Sequence, residues 1–578
     1  MALSSPICHA RQRTAITIRV FPEEDDYVMN EFERQSELQK IFATSIDRRS
    51  ALKAAAAAGL IPVLGSGMLA SRAAAQDATP KQGGTLVILG QDSIESLSPE
   101  DTGETVQWVA ACNVFEGLYM VNEQYELEPV LADSYEPSED GLTYTFKLKS
   151  DVTFHNGDSF TSADVLYTYN WIMDEANAST RLSNFDLVAS VEAPDDTTVV
   201  VTLTNADVTF MINVATVFIY PAAYHAEIGE NDFKVKPVGT GPFKFGEMNP
   251  QQRVRLDAWE NYYRGRANLD SFQVDVVPEA AGRMSALETG QADNSMWGLN
   301  AEDNTTLKDS GNFTVYETKQ VATNHFPLNN KHPFLQEKEV RQALIWALDR
   351  QAFADDVFLG QATVATSNLS PAVEAFYNPD VALYEYNPDK AKELLDGAGW
   401  VEGGDGVREK DGVKAAFTMM VFQGDTQRRP EAEVAQQWWK DIGVDCTLQE
   451  GVTSEILGGL RAGEYDAGLF NWVYGGGSGD PDSRDTLVTG GANNFFQYSN
   501  AEVDELMLNG IKEQDTEKRV AMYKRIQEII ADEVPFVFLL NLMNVSFFNK
   551  RVKGLPESVL NADNLYPKAY QFWIDEEA

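Results

Sequence analysis

Histidine is the side chain most often recruited for metal and proton chemistry, and this chain has five, His9, His155, His225, His325 and His332. They are scattered, and no two stand at metal-ligand spacing. No HExxH, no GxSxG nucleophile elbow and no GxxxxGK[ST] phosphate loop occurs. Ser50 and Lys53 fit S-x-x-K, a pattern of serine acyl enzymes. The partner motifs are missing, and a four-residue pattern recurs by chance. His155, Asp158 and Asp164 are types suited to metal or acid–base work. Asn156-Gly157 is a tight-turn dipeptide, however, and Thr161 with Asp164 has the spacing of a capping box, so a turn and a helix cap account for them. Gly475-Gly476-Gly477 follows Trp472 and Tyr474. Polyglycine there makes a loop whose backbone can approach a ligand closely. The two aromatic rings fit either stacking against a flat solute or core packing. Binding chemistry is therefore expected, with no catalysis, no metal and no cofactor.

The elements that position these residues follow from hydrophobic period. Leu142, Tyr144, Phe146 and Leu148 alternate with Thr143, Thr145, Lys147 and Lys149, which predicts a strand with one buried face. A helix is expected from near Ser162, and others over 107–117, 333–350, 430–442 and 520–530. Asn387 caps a further helix with Pro388 at its first position, running to Gly397. Ser499 and Glu502 are spaced as another capping box. Strands are expected over 199–203, 321–329, 417–422, 444–448, 465–474 and 534–540. The alternation of helix and strand after residue 321 implies an α/β lobe. Lys236–Phe245, KPVGTGPFKF, holds Pro237, Gly239, Gly241 and Pro242 just ahead of alternating Phe243, Lys244 and Phe245. Proline fixes φ and glycine opens positive φ, so a stiff turn feeding a strand is expected.

The segment PVGTGPFKF resembles a signature of the extracytoplasmic solute-binding proteins of the peptide/nickel class, family 5, which serve ATP-driven importers. Other stretches resemble the same family in the same order: GGTL with Asp92, Leu97 and Pro99; FEGL; PVLADSYEPSEDGLTYTFKLKSDVTFHNGDSFTSADVLYTY; NYYRG, with Tyr263 where the family has tryptophan; EVRQALIWALDR; and YNPDKAKELLDGAGW. The resemblance covers about residues 81–570. It implies an α/β fold of the two-lobed periplasmic binding protein type (type II, the large class with an extra inserted domain), with a ligand cleft between the lobes. The first lobe would comprise 81–115, 238–320 and 536–578, the inserted domain 116–237, and the second lobe 321–535.

The resemblance further implies a receptor that closes over a solute and hands it unaltered to the membrane permease of an importer. A peptide-like or other organic solute is expected, with an oligosaccharide or a metal chelate as alternatives and a secreted enzyme or peptide-binding chaperone on the same fold as a remoter one. The expected ligand-binding residues are Trp108, Trp297, Asn324, His325, Trp472, Tyr474 and Gly475; Trp108 fits core packing as well. In the family's peptide binders an aspartate a few residues after the tryptophan of this strand anchors the peptide amine. The matching position here carries Gly475 or Gly477, and the next aspartate is Asp480 in a DPD turn read as structural. A plain dipeptide specificity is thus not expected, because a buried amine without a carboxylate binds poorly.

Length and charge set the outer bounds. The 578 residues leave room for two to four domains, and 43% hydrophobic with 11% aromatic residues permits large cores. A net charge of −42 excludes non-specific binding to nucleic acid or anionic lipid and fits a solvated acidic surface. Residues 47–53, DRRSALK, precede an apolar run from Ala54 to Ala70 and then Ala73-Ala74-Ala75-Gln76. This is the layout of a secretory signal, and Arg48-Arg49 with Leu52-Lys53 resembles a twin-arginine export signal. The apolar run is too short and too weakly apolar for a membrane span. Cleavage after Ala75 without a cysteine at the site predicts a soluble, periplasmic, monomeric protein with no lipid anchor. The acidic cluster Glu23–Asp26 is foreign to a signal, so Met29 is an expected alternative start. With Cys8 removed, Cys112 and Cys446 either pair or remain two buried thiols.

Overall fold

The turn at 236–245 shows how the chain is assembled. In the computed structural model, which describes residues 79–91, 93–99, 105–296, 299–423, 429–473 and 479–577, this turn lies flat against residues 113–115. The Gly241 N–H donates to the Val114 carbonyl at 2.9 Å, and the Phe243 N–H to that of Asn113 at 3.1 Å. A Cβ on Gly239 would come within 2.0 Å of the Val114 oxygen, and one on Gly241 within 2.5 Å of the Asn113 oxygen. Neither glycine has positive φ, so close approach of two backbones, and not a left-handed conformation, is what requires them. The ring of His155 braces the far side. Its Nε2 donates to the Gly241 carbonyl at 2.9 Å, and its Nδ1 accepts the Gly239 N–H at 3.3 Å. His155 thus serves the turn, in addition to the Asn156-Gly157 bend beside it, where Gly157 takes φ +93.

Beyond the turn, Phe243–Asn249 begins a five-stranded sheet with Arg253–Ala258, Ser271–Val276, Thr85–Gly90 and Asn294–Ser295, in that spatial order. The first three strands are antiparallel, while Thr85–Gly90 runs parallel to Ser271–Val276 with Leu86 opposite Phe272 and Ile88 opposite Val274. Val254 and Leu256 are buried and the intervening arginines exposed, the alternation a half-buried strand requires. Their core is completed by the C-terminal Leu565, Tyr566 and Phe572.

Residues between Leu118 and Ile219 build a separate core around four antiparallel strands, ordered Ala132–Pro137, Thr143–Leu148, Thr198–Leu203, Val188–Asp195. Helix Ser162–Met173 covers the sheet, and Thr161 with Asp164 forms the expected capping box. The helix expected over 107–117 is shorter, Thr105–Ala111. Asn113 and Val114 leave it because their carbonyls are committed to the glycine turn.

The third core lies mostly after residue 326. Parallel strands Ala416–Phe422, Asp445–Gly451 and Ala467–Gly468 alternate with helices Arg429–Asp441 and Thr453–Ala462, while Lys338–Trp346 packs against Pro388–Gly397. Asn387 caps the last of these as expected, accepting the Lys390 N–H. At the next cap the expectation fails: Asn500, not Ser499, accepts the N–H groups of Glu502 and Val503, and the Ser499 hydroxyl pairs with Thr489. Two arginines of EVRQALIWALDR are buried donors to backbone carbonyls. Arg341 reaches Leu335, Gln336, Glu533 and Val534, and Arg350 reaches Ala365, Phe538 and Tyr384. The guanidinium has five donors in a planar fork, so it satisfies several free strand and helix ends at once. Cys112 and Cys446 are free thiols buried in different cores.

One strand joins the cores. Phe536–Asn549 has its first residues, through Leu540, in the third core, and Phe548 in the first. It pairs with Ala322–Pro327 at one end and with Phe313–Lys319 at the other, so the crossing falls within the strand and not ahead of residue 536. Near the crossing, Asn544 donates to Asp563 at 3.3 Å, at the start of the helical segment Asp563–Gln571. Tyr125 and Tyr566 also lie near this carboxylate.

Burial moves these two groups in directions that oppose each other in stability. It lowers the His155 pKa to about 4, with the Gly241 bond opposing and Lys244 adding to the effect. The unfolded chain then binds the extra proton between about 4 and 6.5, so His155 makes stability rise with pH across that window. Burial raises Asp563 from 3.8 to about 6 against the Asn544 bond. Here the folded chain binds the extra proton, so stability falls as pH rises from about 4 to about 6. Urea midpoints measured from pH 4 to pH 7 should show His155→Gln losing part of the rise. Asp563→Asn should lose the fall and be the more stable protein at pH 7. Midpoint–pH curves parallel to wild type would refute both assignments.

Candidate functional site

A cavity of about 880 Å³ lies where the three cores meet. The first core contributes Trp108, Phe115 and Pro242, with Arg264 and Asn564 from adjoining segments. The third contributes Trp472 and the stretches 480–493 and 508–512. The largest share comes from the inserted core, through 116–130, 181–187 and 205–218. A volume near the upper end of small-molecule pockets accommodates a ligand larger than a single amino acid.

Three fixed charge groups shape the walls. Glu116, from the FEGL segment, is buried and accepts the hydroxyls of Tyr262 and Tyr263 at 2.8 and 3.1 Å. Burial raises its pKa, opposed by Arg264 and these hydroxyls. Tyr263, where the family pattern has tryptophan, also donates to the Val130 carbonyl at 3.2 Å, a bond that links the NYYRG segment to the inserted domain. Asp480 forms a buried pair with Arg519 at 2.9 Å, and the guanidinium lies 5.1 Å from the ring centre of Phe376. Asp482 forks with Arg484, with contacts of 2.7 to 3.0 Å. Both aspartates of the DPD turn also accept backbone N–H groups two residues on, as their structural reading requires. They face the cavity as well, which the turn chemistry does not reveal.

Of the residues singled out from sequence, Trp108 and Trp472 line the cavity from different cores. Trp472 is held edge-on by Phe495, with ring centres 5.7 Å apart, and leans on Phe470. Asn324 and His325 do not line it. Both are fully buried on the strand Ala322–Pro327. Asn324 accepts the Asn471 amide at 2.7 Å, and the His325 ring sits among Phe470, Phe496 and Phe536. The strand has a paired strand on each edge; Asn324 joins it to Asn471, while His325 Nδ1 donates to the Thr323 carbonyl of its own strand. Trp297, Tyr474 and Gly475 lie outside the described residues, as does the leader with its S-x-x-K. The reading from sequence missed the inserted-domain wall, above all Arg181, Asn184, Asn205 and Asp207. Single polar residues in turns carry no local signal of facing a cavity. Among the described residues no cluster of histidine, cysteine or carboxylate side chains could hold a metal ion, and no helix is long and apolar enough to cross a membrane.

Comparison with known proteins gives this geometry its context. Residues 126–495 match the model of bacterial extracellular solute-binding proteins, family 5, middle region. The chain is 30% identical over 515 residues to the oligopeptide-binding protein AppA of Bacillus subtilis (strain 168), covering 86% of this chain and 92% of that one. It is 29% identical over 472 residues to the heme-binding protein A of Haemophilus influenzae, covering 76% and 84%. The solved structure of B. subtilis AppA in complex with a nonapeptide superposes with a TM-score of 0.76 at 28% identity, over 86% of this chain and all of that one. A cavity enclosed by two lobes and an inserted domain, on a chain matched along most of its length, places this protein in the family 5 extracellular solute-binding proteins of ATP-driven importers.

Proposed function

We propose that the protein is a periplasmic receptor that takes up a peptide-like solute in this cavity and delivers it, chemically unchanged, to an importer permease. The observation that carries this reading is the lining. Two tryptophans from different cores, asparagine amides, and both carboxylate and guanidinium groups surround a space of about 880 Å³. A peptide offers matching features along its length: amides, apolar side chains and two charged ends. The names of the peptide-binding relatives support the same class. Trp108 and Trp472 are the solute contacts carried over from the sequence, and the lobes divide at 116–237 and near 321, with the returning boundary inside the strand Phe536–Asn549. Closure brings the second lobe onto the first lobe and the inserted domain, and the hinge is that strand with its partners. The receptor acts as a monomer, and no residue is assigned a catalytic role.

Short peptides of three to six residues should raise the melting temperature of the purified protein, by the mass-action gain of about 2.7 kcal/mol at one hundred times Kd. Trp472→Ala should weaken the same peptide at least about tenfold in calorimetry while keeping the wild-type far-ultraviolet spectrum. Equal affinity in the variant would remove Trp472 from the site, and cleavage of the peptide during incubation would overturn the receptor reading.

A further inference from the structure

One carboxylate of the cavity wall is held through a single oxygen. Asp207, at the edge of the inserted domain, is 8% exposed and lines the cavity. Its Oδ1 accepts the Thr209 N–H at 2.8 Å and the Thr209 hydroxyl at 2.7 Å, which fixes the rotamer. Its Oδ2 accepts no hydrogen bond among the described residues. The adjoining Val208 N–H donates to the Ile511 carbonyl at 2.8 Å, so the inserted domain and the second lobe are tied together beside this carboxylate. Arg484 on the facing wall attracts it, but that guanidinium is already forked onto Asp482, which repels it. No lysine or arginine nitrogen among the described residues lies within ion-pair distance of Asp207. Burial accordingly raises its pKa. Its Oδ2 is not sealed from solvent, so it faces the open cavity and can exchange water for a cationic group.

We propose that Asp207 is a specificity-determining residue of the cleft, its open Oδ2 receiving an ammonium or guanidinium group of the solute. The inference rests on the peptide-receptor reading of the same cavity. The incoming cation offsets the repulsion between Asp207 and Asp482, and it does so where the Val208–Ile511 bond holds the walls together. The receptor thereby favours solutes bearing a positive charge, bound through a charge-assisted hydrogen bond on the inserted domain.

The test uses the full exported protein and two probes: a random tetrapeptide library with free amino termini that includes lysine and arginine, and an N-acetylated library without those two residues. Peptides retained after buffer exchange are counted by mass spectrometry. Wild type should retain the cationic library over the acetylated one by at least about tenfold. Asp207→Asn, which keeps an acceptor for Thr209, should bring that ratio close to one without lowering the melting temperature, and Asp207→Glu should restore most of it. An unchanged ratio in Asp207→Asn, or no preference in wild type, overturns the role of Asp207 and leaves the receptor reading standing. Retention of neither library by wild type overturns the peptide reading and this inference with it.

Discussion

The structure depends on one strand that belongs to two bodies. Phe536–Asn549 spans 14 residues, about 45 Å at the rise of an extended chain. Its first five residues are fully buried in the core of the second lobe, and Phe548 is fully buried in that of the first. Each end is locked by a different antiparallel partner, Ala322–Pro327 and Phe313–Lys319. Both partners come from the same crossing of the chain in the opposite direction. The lobes are thus connected by hydrogen-bonded strands anchored at both ends in packed interior, and residues 540–542 between those ends pair with Ala362–Val364, which resists sliding. A cavity between the lobes inherits that restriction: the register of its walls is fixed.

Buried charge in this protein is handled in two distinct ways. Within the cores Arg341, Arg350 and Asp293 are each bonded to several partners. Arg341 and Arg350 donate to carbonyl oxygens, and Asp293, fully buried, accepts from Arg551 at 2.6 Å and from the Val87 N–H at 2.9 Å. Such groups fix the ends of strands and helices, at a desolvation cost their several bonds offset. Around the cavity the pairing is more varied. Glu116 relies on neutral hydroxyls, Asp480 and Asp482 have arginines, and Asp207 has a threonine alone. The exposed ion pairs, such as Lys308 with Glu317, contribute little by comparison. The strongly acidic surface bears on solubility more than on stability.

Much of the fold was legible because local signals agreed with their surroundings. The capping box at Thr161 and the cap at Asn387 stand where spacing put them, and the alternation of 142–149 matches a strand with Phe146 and Leu148 buried. Where a competitor lay within a residue, spacing chose wrongly. Ser499 fits a capping box, yet Asn500 is the residue whose amide oxygen reaches the free N–H groups. The helix read through Gly117 stops at Ala111 because distant residues claim the carbonyls of Asn113 and Val114, a tertiary demand no local pattern encodes. The site was the least legible part. Aromatic type pointed to Trp108 and Trp472, which line the cavity, but Asn324 and His325, expected among the ligand-binding residues, lie in the interior. Asp207 sits in an ordinary turn sequence, and only the approach of the second lobe gives it a role.

The closeness of the 239–241 backbone to residues 113–115 bears on how receptors of this shape could diverge. Phe115, at the end of that contact, and Glu116, the next residue, form part of the cavity wall, as does Pro242 on the other side of the contact. The gap between the two backbones therefore gauges the width of the chamber at that end. With no side chain tolerated in the gap, this dimension is frozen, and the other dimensions of the chamber are set by the inserted domain and residues 480–493.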